Sequence, residues 1–268
     1  MTNVFVSIEQ VETPARFIDV RFNLMDKNEG QAQYEKEHIA GAVYFDLERD
    51  LSDMSKKDGR HPMPEKAQLI NLFESAGLQL TDVIYVYDQG GAPFAPRAWW
   101  MLKYAGFENV SIVNGGYDAL KKAGYATTSN KESFDRSTIT ANWQENTYAD
   151  RDYVKAITEG KVDAMLLDAR AAIRYRGEQE PLDPVAGHIP TAKNFDWEQV
   201  KDGNQLVVTE TLRNAVASDK EVVVYCGSGV TASPLYTVLK EAGHENVKLY
   251  VGSYSDWITK YEVATGEE

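Results

Sequence analysis

The sequence VVVYCGSGVTA, at residues 222–232, is the most informative part of this chain. Its apolar start predicts a buried strand of a parallel sheet, and residues 232–243 predict a following helix that ends at Gly243. Cys226, the only cysteine among 268 residues, lies in the loop between them. Backbone N–H groups and the helix dipole at such a position lower a thiol pKa and favour a thiolate nucleophile. The alternative is a small buried side chain without chemistry, but the flanking glycines favour a reactive site.

The chain also contains an internal duplication, in which five short sequences recur in the same order. FIDVR at 17–21 matches LLDAR at 166–170, HIAGA at 38–42 matches HIPTA at 188–192, VIYVYD at 83–88 matches EVVVYC at 221–226, AGFENV at 105–110 matches AGHENV at 242–247, and GGY at 115–117 matches GSY at 252–254. Each copy alternates short apolar strands with helical stretches, which predicts an α/β domain with a mainly parallel sheet flanked by helices. We therefore predict an N-terminal domain at 1–126, a polar linker at 127–147 and a C-terminal domain at 148–268.

The two copies differ at the position of the cysteine. Asp88 of the first copy aligns with Cys226 of the second. The first loop keeps its glycines but has no nucleophile, and a carboxylate there would repel an incoming anion. This predicts one active site per chain, in the C-terminal domain, with a non-catalytic N-terminal domain.

Composition excludes several classes of function. The net charge of −13 argues against nucleic acid or an anionic membrane as partner. No signal peptide and no run of about 20 apolar residues is visible, and a single cysteine suits a reducing cytoplasm. Four dispersed histidines show no metal-ligand spacing, so we expect neither a metal nor a cofactor.

The loop CGSGVTA at 226–232 resembles the active-site loop of two-domain rhodanese-type sulfurtransferases, and among them most the 3-mercaptopyruvate and thiosulfate sulfurtransferases. Further matching stretches are DAR at 168–170, RYRG at 174–177, GHIP at 187–190, DLSD at 50–53, HPMP at 61–64 and APRAWW at 95–100. The resemblance implies transfer of a sulfane sulfur through a persulfide of Cys226, with ping-pong kinetics and no cofactor. It also implies a small anionic donor and, as acceptor, cyanide, a thiol or a thioredoxin-like protein.

The same resemblance assigns roles around the cysteine. The backbone amides of Gly227, Gly229, Val230 and Thr231 would form the anion-binding nest, and Ser228 would hydrogen-bond the departing enolate oxygen. Arg174 matches the family's substrate-binding arginine, whose planar guanidinium suits a carboxylate.

The charge of this loop bears on which sulfur donor the protein uses. Members specialised for thiosulfate carry two basic residues directly after the cysteine, where this chain has Gly227 and Ser228. A neutral loop favours the monoanion 3-mercaptopyruvate. However, the segment EQEPLD at 178–183 lacks the second arginine of the mercaptopyruvate enzymes, so thiosulfate stays open as the donor.

His61 matches a histidine of a proton-relay group in the family, with Asp50 or Glu48 as its carboxylate partner. A surface histidine at a helix start is the alternative.

His38 and His188 recur in both copies and are interpreted as structural, as are the pairs formed by Asp19 with Arg21 and Asp168 with Arg170. Trp99 and Trp100 are predicted to lie in the core.

Three other interpretations of the sequence have less support. Residues 227–232 fit the dinucleotide-binding pattern G-x-G-x-x-G/A, but the next predicted strand, 247–251, ends in Gly252 and not in an acidic residue. A cysteine phosphatase needs an arginine six residues after its cysteine, where this chain has Ala232. A non-catalytic sulfur carrier or interaction protein is the third alternative.

Overall fold

The computed structural model describes residues 3–216 and 220–267, which form two compact units. Unit 1 consists of the chain up to Asp53, Pro64–Gln144 and Asp202–Leu206. Unit 2 consists of Met54–Met63, Glu145–Lys201 and the chain from Val207 onward. These units differ from the predicted linear division at three places. Residues 54–63 group with the second copy, residues 202–206 group with the first, and the predicted linker is divided, with 127–144 in unit 1 and 145–147 in unit 2.

Unit 1 is built on a five-stranded parallel sheet with strand order β1-β6-β5-β2-β4. Its elements are β1 (Phe5–Val6), β2 (Arg16–Asp19), α1 (Glu29–Lys36), β3 (His38–Ile39), β4 (Ala42–Tyr44), α2 (Lys66–Ser75), β5 (Ile84–Tyr87), α3 (Phe94–Ala105), β6 (Val110–Val113), α4 (Gly116–Lys122) and β7 (Thr127–Thr128). Strands β3 and β7 form a small antiparallel pair. Trp99 and Trp100 of α3 are buried, as predicted.

Unit 2 repeats this architecture, with strand order β10-β9-β13-β14-β8. Its elements are β8 (Tyr148–Ala149), α5 (Arg151–Thr158), β9 (Ala164–Asp168), α6 (Ala172–Tyr175), β10 (Lys193–Asn194), α7 (Glu210–Ala215), β13 (Glu221–Tyr225), α8 (Ala232–Glu241), β14 (Val247–Tyr250) and α9 (Ser253–Trp257). Between β10 and α7, β11 (Lys201–Asp202) and β12 (Gln205–Leu206) form a two-stranded sheet. Corresponding strands occupy corresponding places in the two sheets, so the predicted duplication and α/β class are confirmed.

The strand and helix around the cysteine form as predicted. Strand β13 lies between β9 and β14, and Val222–Tyr225 are fully buried, which explains the uninterrupted apolar run. Helix α8 begins at Ala232 and ends at Glu241, and Gly243 adopts the left-handed conformation just beyond it. Cys226 therefore leaves the carboxyl end of a central strand, where ligand sites of parallel sheets lie.

The residues that recur in both copies hold the fold together. Arg21 Nη2 donates to Asp19 at 2.6 Å, and Arg170 Nη2 donates to Asp168 at 2.7 Å. The ring of His38 stacks on Tyr34 and that of His188 on Tyr175, each with 3.8 Å between ring centroids. In both pairs the histidine Nδ1 also lies within hydrogen-bond distance of the backbone carbonyl oxygen of the tyrosine. All four polar side chains of the two ion pairs are buried, and so are both histidines. The interpretation of these residues as structural is confirmed.

Asp88 is the counterpart of Cys226 in unit 1. Its buried carboxylate accepts hydrogen bonds from the backbone N–H groups of Gly90, at 2.7 Å, and Ala95, at 3.0 Å. The carboxylate of Asp88 therefore accepts hydrogen bonds from the backbone amides of this loop. Burial raises the pKa of Asp88 to about 6, although these backbone hydrogen bonds oppose the shift.

The raised pKa of Asp88 predicts a pH dependence of stability. A carboxyl with a higher pKa in the folded state stabilises the fold below its unfolded pKa of 3.8, and this contribution is lost as the pH rises through about 6. The unfolding free energy of the wild type relative to Asp88→Asn should therefore fall by about 2–3 kcal/mol between pH 4 and pH 7. Urea unfolding of both proteins across this range measures the difference, and a difference that stays flat or rises with pH contradicts the prediction.

No helix among residues 3–216 and 220–267 is long and apolar enough to cross a lipid bilayer.

Candidate active site

The backbone of the Cys226 loop is fixed by the segment that follows β14. Cys226 N donates to Ser253 Oγ at 3.1 Å, and its carbonyl oxygen accepts a hydrogen bond from Tyr254 N at 3.0 Å. The carbonyl oxygen of Gly227 accepts another from Ser255 N at 2.9 Å. Ser253 itself has a φ of 57°, in the left-handed region, so this segment is held in an unusual conformation that serves the loop.

Within the loop, Gly229 has a φ of 73°, and a Cβ there would collide with the carbonyl oxygen of Val251. The loop therefore lies directly against the end of β14, and α8 begins three residues later at Ala232. At the start of α8, Ser233 N donates to the carbonyl oxygen of Val230 at 3.2 Å and Pro234 has no N–H. The backbone amides of the loop itself are therefore the candidate donors to an anion. That the amides of Gly227, Gly229, Val230 and Thr231 bind the persulfide stays a prediction.

A short segment from the first sequence copy supplies two further side chains to unit 2. Residues 54–63 pack against α9, where Arg60 N donates to Ser255 Oγ at 3.1 Å. His61 Nδ1 and Ser228 Oγ lie 2.8 Å apart and share a hydrogen bond, and both residues are buried. The structure therefore brings together two residues that the sequence placed 167 positions apart.

The predicted carboxylate partners of His61 lie in unit 1. There the Asp50 carboxylate accepts hydrogen bonds from Asp46 N at 2.7 Å and from the Arg49 guanidinium at 2.7 and 3.0 Å. Glu48 forms an ion pair with Lys27 at 2.9 Å. A relay through either carboxylate stays a prediction.

Two guanidinium groups lie beside Gly227. A Cβ built on Gly227 would collide with Arg60 Nη2 and would lie 3.4 Å from Arg174 Nη2. Arg174 was predicted from the sequence, whereas Arg60 was missed. Its one sequence signal is that it immediately precedes His61. Arg60 is thus a second guanidinium group beside the loop, in addition to Arg174.

A line of alternating charged side chains, buried at its inner end, extends from the centre of unit 2 to this point. Arg170 donates to Asp168 on one side and, from Nη1, to Glu180 Oε2 at 3.2 Å on the other. Arg174 donates to the same Glu180 from Nη2 at 2.7 Å and from Nε at 3.0 Å. Burial alone would raise the pKa of Glu180, but the hydrogen bond from Arg174 and backbone N–H donors lower it, so the carboxylate is ionised.

The line ends at Arg60. Asp183 accepts hydrogen bonds from Arg60 Nε at 3.0 Å and Nη2 at 3.2 Å, and Arg174 Nη2 lies 3.5 Å from its Oδ2. The acidic segment 178–183 was expected to leave the site short of one arginine. Instead, its carboxylates hold both guanidinium groups in place, and neither Glu180 nor Asp183 was predicted as a site residue.

The close approach of Arg60 predicts the effect of Gly227→Ala. The new methyl would meet the far end of a flexible side chain, so the guanidinium should move while the fold is kept, with an unfolding free energy within about 1 kcal/mol of wild type. Because displacing a positioning group by about 1 Å can cost up to about 10²-fold, we expect the donor KM to rise by roughly tenfold. Steady-state kinetics and urea unfolding check both statements, and an unchanged KM would show that Arg60 is not needed beside the loop.

Comparison with known proteins identifies the family of the chain. Residues 8–123 and 150–260 each match the model of the rhodanese-like domain. The chain belongs to the rhodanese family. The prediction of tandem rhodanese-like domains is confirmed.

The relatives also bear on the enzyme class. The chain is 39% identical over 262 residues to the "Probable 3-mercaptopyruvate sulfurtransferase" of Pseudomonas aeruginosa, covering 93% of this chain and 92% of the relative. It is 33% identical over 261 residues to the 3-mercaptopyruvate sulfurtransferase of Escherichia coli, covering 93% and 91%. The crystal structure of SseA from Escherichia coli, described as a 3-mercaptopyruvate sulfotransferase with the rhodanese fold, superposes with a TM-score of 0.80 at 31% identity, covering 95% of this chain and all of the other. The predicted class of enzyme, a sulfurtransferase, is confirmed.

Proposed function

We propose that this rhodanese-family protein transfers a sulfane sulfur from a small anionic donor, preferentially 3-mercaptopyruvate, to cyanide or a thiol through a persulfide of Cys226. The observation that carries the proposal is the pair of guanidinium groups of Arg60 and Arg174 beside Gly227, next to a cysteine whose following residues are neutral. Two guanidinium groups suit the carboxylate of a 2-oxo acid, because each can donate two parallel hydrogen bonds.

In the first half-reaction, the Cys226 thiolate attacks the sulfur of the donor and forms an S–S bond. The C–S bond of the donor breaks, and its electron pair passes to the carbon and oxygen of the pyruvate enolate. The enolate gains a proton to become pyruvate, which balances the proton lost from the donor thiol. Ser228, hydrogen-bonded to His61, is positioned to donate a hydrogen bond to the enolate oxygen.

In the second half-reaction, cyanide or a thiolate attacks the terminal sulfur of the persulfide. The S–S bond breaks, and its electron pair returns to Cys226 as the thiolate. Between the two steps the loop amides of Gly227, Gly229, Val230 and Thr231 stabilise the anionic terminal sulfur. The acceptor is cyanide, a small thiol or a thioredoxin-like protein, and the reaction takes place in the cytoplasm, as expected for a chain with a single thiol.

Thiosulfate is the second candidate donor. The observation in its favour is the same pair of arginines, because a guanidinium binds a sulfonate as readily as a carboxylate. A role as sulfur carrier without small-molecule turnover is the remaining alternative.

The decisive experiment measures steady-state transfer to cyanide with 3-mercaptopyruvate and with thiosulfate, using Cys226→Ser as the blank. A clearly higher kcat/KM for 3-mercaptopyruvate supports the proposed donor. A higher kcat/KM for thiosulfate would show that thiosulfate is the preferred donor. If neither donor is turned over, the protein is a sulfur carrier.

A further inference from the structure

The carboxylate of Asp183 lies between the two arginines of the active site. Its side chain is 2% exposed, compared with 31% for Arg60 and 18% for Arg174. Asp183 N donates to Glu180 Oε1 at 3.2 Å, which fixes the backbone that carries the carboxylate. A buried carboxylate in this position is a permanent neighbour of any anion that approaches Arg60 and Arg174.

The charges of the line from the core to the loop cancel. It contains three guanidinium groups and three carboxylates, in the alternating order Asp168, Arg170, Glu180, Arg174, Asp183 and Arg60. The two arginines that face the loop therefore do not give the site a double positive charge. Each is paired with a carboxylate, so the net positive charge that an approaching donor meets is small.

A small net field discriminates between donors by their charge. A fixed negative charge repels a dianion twice as strongly as a monoanion at the same place, because the Coulomb energy is proportional to the product of the charges. The repulsion is effective here because Asp183 is buried and therefore poorly screened by salt.

We propose that Asp183 is a specificity-determining positioning residue, whose buried negative charge between Arg60 and Arg174 makes the site select monoanionic donors over dianionic ones. The proposal rests on the proposed function and names the residue that sets its donor class. Asp183 acts through the two arginines and through its field, and it takes no part in the bond-making steps.

The test is the substitution Asp183→Asn, which removes the charge and keeps the size of the side chain. The Oδ1 of asparagine can still accept hydrogen bonds from the arginines, so they should stay in place while the negative charge is lost. We expect the KM for 3-mercaptopyruvate to fall about threefold and that for thiosulfate about tenfold, since the factor for a dianion is the square of that for a monoanion. The kcat for 3-mercaptopyruvate should change little, because the Asp183 carboxylate hydrogen-bonds to Arg60 and Arg174, which bind the donor and take no part in the bond-making steps. Equal changes for the two donors, or a rise in both KM values, would overturn the proposal.

Two further variants test whether the effect comes from the charge of Asp183. Glu178→Gln removes a negative charge from the same segment, but Glu178 is exposed and paired with Arg176, so it should leave the ratio of the two KM values unchanged. If Asp183→Asn does not fold, Asp183→Ser removes the same buried charge with a smaller side chain, and it should lower the KM for thiosulfate more than that for 3-mercaptopyruvate. An unchanged ratio in that variant would then count against the proposal.

A binding experiment separates this inference from the proposed function. Pyruvate, a monoanion, and sulfate, a dianion, should both protect Cys226 from alkylation by iodoacetamide, and this readout needs no turnover. Asp183→Asn should improve protection by sulfate more than protection by pyruvate. If wild type turns over neither donor but this difference appears, the proposed function fails and the inference stands. If turnover is observed and the difference is absent, the inference alone fails.

Discussion

Replacing Cys226 with serine should abolish sulfur transfer, lowering kcat/KM for either donor by at least about 10⁴-fold. A serine hydroxyl is a far weaker nucleophile towards sulfur, and it cannot form a persulfide. The substitution exchanges one buried atom in a loop whose backbone is held by Ser253, Tyr254 and Ser255, so the fold should survive. Steady-state transfer to cyanide measures the loss.

Intact-mass measurement after exposure to the donor supplies the matched control. Wild type should gain the mass of one sulfur atom per chain, and Cys226→Ser should gain none, because Asp88 occupies the corresponding position of unit 1. Turnover that persists in Cys226→Ser, or a second sulfur atom on wild type, would refute the assignment of a single persulfide site.

The second large effect is expected from the arginine pair. Arg174→Ala should raise the donor KM by about 10- to 100-fold, because a charge-assisted hydrogen bond contributes about 1.5–3 kcal/mol. Arg60→Ala should have a similar effect. The double variant should lose less than the sum of the two in free energy if both guanidinium groups bind the same carboxylate. Each single variant leaves the buried carboxylate beside it with another arginine partner, so part of the ion network is kept.

Arg176→Ala is the control for these variants. Arg176 lies two residues after Arg174, but its guanidinium is paired with Glu178 at 2.7 Å at the surface. Its removal should leave the donor KM unchanged. If Arg176→Ala and Arg174→Ala raised the KM equally, the effect would reflect the overall charge of the protein rather than contact with the donor.

Several features of the site were accessible from the sequence because they are local. The strand before Cys226, the helix after it and the absence of basic residues in its loop depend on neighbouring residues, and periodicity and glycine placement predict them. The duplication showed the repeated Asp19–Arg21 and Asp168–Arg170 pairs to be structural, since they recur in the copy that has no nucleophile.

The charges around the donor position could not be predicted in the same way. Asp183 and Arg60 are 123 residues apart, and each alone has the appearance of an ordinary surface residue in a polar segment. The sequence showed a missing arginine in the segment 178–183 and made donor binding uncertain. The structure shows that the same segment binds an arginine from elsewhere.

The α/β class, the two copies, the candidate nucleophile Cys226 and the aspartate at its counterpart, Asp88, could all be predicted from the sequence. The class and the candidate follow from local patterns of residue types, and the duplication follows from short sequences that recur in the same order. Which side chains lie beside Gly227 and Ser228 became visible only in the folded structure. Residues 54–63 belong to the first copy in chain order, yet they fold with unit 2, and they bring His61 to Ser228 and Arg60 to Gly227. The physical reason is that these contacts are formed by long-range packing and ion pairing, which leave no periodic signal along the chain.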